Sequence, residues 1–127
     1  MTSKENALNW FEISVAAIAY WHTHKSNTSE KWENILQLYN KLLQMEYSPI
    51  AALNRTYALA KANGREEAIK EAEKLNLNDN HLYHSLLANL YEGKNKDKSL
   101  QHLQTTLSLA KTVTDKILTK KKIEELI

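Results

Sequence analysis

Five histidines are the residues of this chain best suited to hold a metal or move a proton: the His-x-His pair His22 and His24, the His-x-x-His pair His81 and His84, and His102. On a helix the second spacing sets both rings on one face, as a two-point metal grip requires. Asp79 is the one carboxylate close enough in sequence to help complete a shell, so surface or hydrogen-bonded packing histidines are the plainer reading. With no cysteine, the chain has no disulfide, no thiolate ligand and no thiol nucleophile, which fits a cytoplasmic protein. There is no Gly-x-Ser-x-Gly elbow, no phosphate-cradling glycine loop and no His-Glu-x-x-His. Glu66, Glu67 and Glu71 read as the solvated face of a helix, with Glu66 four residues before Lys70 in the favourable order. Neither catalysis nor a metal or cofactor is expected.

Recognition is the remaining chemistry. Trp10, Trp21 and Trp32, with Tyr20, Tyr39, Tyr47, Tyr57, Tyr83 and Tyr91, recur at helical spacing and suit packing between helices, with one or two free to line a groove. Asn54 and Arg55 are polar residues early on an otherwise apolar helix. They are candidates for a recognition groove. The structural alternative has Asn54 satisfying a neighbouring backbone group and Arg55 pairing with a carboxylate on another helix.

The elements that position these residues are helices. Two glycines and one proline in 127 residues are too few for the turns of a β fold, and helix formers dominate. A chain of this length buries roughly two-thirds of its unfolded surface, enough for one core without staples. Seven helices follow from periodicity and caps. The first covers about 5–23, and the second follows Thr28 or Ser29 with Trp32, Ile35, Leu36, Tyr39, Leu42 and Leu43 on its apolar side. Ser48-Pro49 starts the third, about 49–63, as an N-cap followed by proline at the first helical position. Asn63-Gly64 closes it, with glycine expected in the left-handed conformation. A short fourth helix turns Ala68, Ala72 and Leu75 inward; the fifth, about 81–92, carries Leu82, Leu86, Leu87, Leu90 and Tyr91. The sixth covers about 96–110, and Thr112 or Thr114 caps a last, lysine-rich helix. The apolar run Ile13 to Trp21 is too short to span a bilayer, and the N-terminus lacks the order of a signal peptide.

A shift of 31 residues lays Leu59 on Leu90, Ala68 on Ser99, Ile69 on Leu100 and Ala72 on Leu103. Leu87-Ala88-x-x-Tyr91 reads like the first helix of a tetratricopeptide repeat (TPR), and the Ala68, Ala72, Leu75 spacing like the second; the period falls short of the usual 34. The expected fold is therefore all-α, a TPR-like right-handed array of helical hairpins: about seven helices, as three pairs plus a capping helix, in a single domain over 1–127. The net charge of +2 does not argue for nucleic acid, and the late excess of lysines, from Lys94 to Lys122, reads as a solvated face rather than a phosphate-binding patch.

Three blocks carry a resemblance. Ala16-Ala17-Ile18-Ala19-Tyr20-Trp21-His22, then Trp32-Glu33-x-Ile35-x-x-Leu38-Tyr39-x-x-Leu42-Leu43, then Ser48-Pro49-Ile50-Ala51-Ala52-Leu53-Asn54-Arg55 resemble the C-terminal extension of a subgroup of extracytoplasmic-function (ECF) RNA polymerase sigma factors. Tyr83-His84-x-Leu86-Leu87-Ala88 is similar to the next repeat of that extension. The resemblance implies a TPR-like domain that regulates the sigma factor by contacting its polymerase-binding and promoter-reading regions, the polymerase, or another protein. The promoter-reading regions do not figure in this sequence, so the chain is expected to be the isolated C-terminal domain, cytoplasmic, binding neither DNA nor membrane by itself. Asn54, Arg55, Tyr83 and His84 are the candidate partner-contacting residues. A free-standing adaptor gripping a peptide and a small-molecule sensor with a pocket between helix pairs are the rival readings.

Overall fold

A computed structural model describes residues 29–127, which form six helices: α1 (Ser29–Met45), α2 (Pro49–Asn63), α3 (Arg65–Glu73), α4 (His81–Tyr91), α5 (Lys96–Leu109) and α6 (Val113–Leu126). Among these residues there is no strand, and the fold is all-α as the composition predicts. The helix expected over about 5–23, and with it the Ala16 to His22 block, lies outside the described residues.

Local chemistry sets the helix ends. Ser48 is extended (φ −142°, ψ 132°) and its Oγ accepts from the Ala51 N–H at 3.4 Å, with Pro49 behind it at the start of α2. Asn80 caps α4, accepting from the N–H groups of Leu82 (2.8 Å) and Tyr83 (3.4 Å). Asn95 caps α5, and Thr112 rather than Thr114 caps α6. At the end of α2 the expectation needs correcting. Gly64 has the positive φ of 105°, but its ψ of 162° is extended, not left-handed helical. Because α3 begins at the very next residue, the chain has one residue in which to change direction, and ψ takes the swing.

The residues pack as two compact units parted between Glu67 and Ala68, within α3. In the first, α1 and α2 form an antiparallel hairpin around Trp32, Ile35, Leu36, Tyr39 and Leu42 on one side and Ala52, Leu53, Ala58 and Leu59 on the other. Trp32 meets Tyr57 edge to face, centroids 5.6 Å apart.

In the second unit, α4 and α5 meet at two small residues. Ser99 Oγ donates to the Ala88 carbonyl at 2.8 Å, and both residues are buried. Leu87, Leu90 and Leu103 fill the space on either side, and Ala68 and Ala72 of α3 are fully buried. Leu82, expected on the apolar face of α4, is instead 47 % exposed, while the next two residues, Tyr83 and His84, take the buried side of that turn. The last helix, α6, packs on α5 yet buries only Thr119. A terminal cap presents a polar outer side. This helix instead exposes Val113 (73 %), Ile117 (60 %) and Leu118 (57 %), because its apolar residues are spread around the axis rather than gathered on one stripe.

Candidate functional site

The four residues singled out from the sequence fall into the two units. In the first, the Asn54 side chain hydrogen-bonds the Tyr39 phenol, whose pKa is raised by burial and partly lowered again by that bond. Arg55 donates through Nε to Oδ1 of Asn40. Both bonds cross from α2 to α1, so the pair ties the hairpin. The partners differ from those expected: a phenol in place of a backbone group, and an amide oxygen in place of a carboxylate. Asn54 is exposed and Arg55 half-buried, so part of each remains on the surface.

Tyr83 and His84 belong to the second unit and are both buried. His84 is the centre of a polar network there. Its Nε2 lies 2.7 Å from the Asn78 carbonyl oxygen, and its Nδ1 lies 3.0 Å from Nδ1 of His102 on α5. A carbonyl can only accept, so His84 Nε2 must carry a proton. In the neutral ring Nδ1 is then an acceptor, and His102 must donate from its own Nδ1. The tautomers of both rings are fixed by one backbone oxygen. The pair can take one further proton and keep the bond between the rings; a second would set two N–H groups face to face.

Around this pair lie Tyr91, stacked on His102 (centroids 5.9 Å, 7° between planes), and Tyr83, edge-on to His84 at 5.1 Å. Tyr91 donates its hydroxyl to Glu73 Oε1 at 2.6 Å, and Lys98 Nζ sits over the Tyr91 ring at 5.2 Å. Burial, then the bond to Glu73 and its charge, push the Tyr91 pKa up to about 12. Burial and the Glu73 charge raise Tyr83 as well. His102 is lowered, first by burial and then by the neighbouring His84 and Lys98, against an opposing pull from Glu73. The surroundings of His102 thus favour its neutral ring.

His81, which the spacing sets on one helical face with His84, is not among the partners of this pair. The sequence reading missed His102 in this role. A signal was available: His84 stands one turn before Ala88 and His102 about one turn after Ser99, so an antiparallel crossing at that small pair brings the two rings level. Among the described residues no three His, Asp or Glu side chains cluster to hold a metal ion. His22 and His24 lie outside the described residues.

One open groove of the second unit, about 450 Å³, runs between α4, α5 and α6. Leu103 and Leu118 form its apolar surface, and Ser85, Lys121, Lys122 and Glu125 its polar edges. It continues past Lys122 toward Ala88 and Ser99 as a cleft of about 90 Å³. No helix among the described residues is long and apolar enough to cross a membrane. Neither a protein-family model nor a curated protein sequence matches the chain.

Proposed function

We propose that this chain is a regulatory, protein-binding domain of an ECF-type RNA polymerase sigma factor, acting in the cytoplasm by docking onto the sigma regions of its parent protein. The observation that carries the reading is the part played by the Ser48 to Arg55 block, the most specific point of the resemblance. Its serine caps α2, its proline starts the helix, Ala52 and Leu53 enter the core, and Asn54 and Arg55 tie α2 to α1. Every distinctive residue of the block has a hairpin-building role, as a repeat module needs. The groove beside α6 supplies a surface on which such a module binds. Docking within one polypeptide needs little intrinsic affinity, since linkage holds the two parts at high effective concentration.

Calorimetric titration of the purified chain with the polymerase-binding and promoter-reading regions of its parent tests this. Saturable binding supports the proposal. Absence of binding at high protein concentration overturns it in favour of an external partner or a small ligand.

A further inference from the structure

The last helix offers a surface with its own chemistry. Val113 and Ile117 lie four residues apart on one side of α6, both exposed, and Leu118 stands roughly 100° further round at the mouth of the groove. Lys116, Lys120, Lys121 and Lys122 surround these apolar side chains, all exposed. None of the four is ion-paired with a carboxylate among the described residues. Asp115 sits in the first turn and Glu124 in the last; Glu125 stands at the edge of the groove with Lys121 and Lys122, and the lysines of this face outnumber its carboxylates.

We infer that this face of α6 and the adjoining groove bind an acidic amphipathic helix of a partner protein. The occupant's apolar residues rest on Ile117, Leu118 and Leu103, and its carboxylates meet the four lysines. Charge argues against the alternatives. A second copy placed α6 against α6 would set lysines on lysines, which is repulsive at close range. A lipid surface is flat and cannot fill a groove of about 450 Å³, whereas side chains of a helix enter such a groove as knobs. The inference rests on reading the chain as an interaction domain, and it adds the surface and the chemistry of what it grips.

The test uses a fluorescent model peptide, a helix with leucines on one face and glutamates on the other, read by anisotropy at low and high salt. The comparison probes are its twin with lysine for glutamate and vesicles of phosphatidylglycerol with phosphatidylcholine. The expected result is saturable binding of the acidic peptide that weakens with salt. It should fall by about tenfold or more in Ile117→Asn and in Leu118→Asn, and fall in the triple variant Lys116→Gln, Lys120→Gln, Lys121→Gln. Lys96→Gln, on α5, should change nothing. Binding of the basic twin as tightly, stronger binding to vesicles, insensitivity to the α6 variants, or no binding overturns the inference. Titration of the same chain with the sigma regions separates the two proposals. If those regions bind while the acidic peptide does not, the function stands and the surface falls; if the peptide binds while those regions do not, the function falls by itself.

Discussion

At the scale of single residues, the His84–His102 pair makes the clearest prediction. The pKa of His102 is lowered from its ordinary value of 6.5, chiefly by burial. Between the lowered value and 6.5 the unfolded chain binds more protons than the folded one, so stability rises with pH across that window. The contribution is fully present above pH 6.5 and is lost as pH falls through the lowered value. His102→Phe keeps a flat ring against Tyr91 but cannot titrate. It should lower the thermal midpoint near pH 8, because His84 Nδ1 loses its donor, yet flatten the fall in midpoint between about pH 8 and about pH 5. A variant whose midpoint drops with acid as steeply as the parent's would show that the titrating group lies elsewhere. Glu73 and Lys98 also face this pair, Glu73 favouring the charged His102 ring and Lys98 opposing it.

At the scale of elements, the α4–α5 crossing depends on two small side chains. Ala88→Leu forces extra methyl groups into a site where Ala88 is 2 % and Ser99 1 % exposed, and should cost about 1–3 kcal/mol. Ser99→Ala should cost less, about 1 kcal/mol, since the Ala88 carbonyl keeps the Glu92 N–H at 3.1 Å and is not orphaned. Urea unfolding midpoints should rank them in that order; the reverse order would mean the hydrogen bond, not the close approach, holds the helices. The same scale explains what could be read from the sequence. Ser48, Asn80, Asn95 and Thr112 announce helix starts because a cap is a bond between a side chain and a backbone N–H two or three residues on. The pairing of His84 with His102 involves residues 18 apart and depends on how two helices cross, so spacing along the chain, which sets His81 nearest to His84, does not show it. Arg55 and Asn54 were legible as structural or recognition residues, but their partners, Asn40 and Tyr39, depend on the register of the hairpin. The outward apolar side of α6 was hidden by the convention that a last helix is a cap.

At the scale of the whole molecule, burial is uneven along the second unit. Six residues of α4 are buried, against three in α5 and one in α6. Helices with few buried contacts open at lower free energy. Amide hydrogen exchange should therefore be slowest in α4, intermediate in α5 and fastest in α6. Protection of α6 equal to that of α4 would mean that another part of the protein covers the exposed side chains. The acidic peptide, if it binds as inferred, should slow exchange in α6 selectively.

The joint at Gly64 has one more consequence. A Cβ built there meets nothing within 4 Å, so crowding plays no part in the choice of glycine. The constraint is one of handedness: at φ 105° the backbone has the sign that natural side chains resist, whatever the room around them. The joint therefore discriminates between mirror images. D-alanine would sit there unstrained and would stiffen the unfolded chain, while L-alanine, identical in size and composition, would push α2 and α3 out of their one-residue turn.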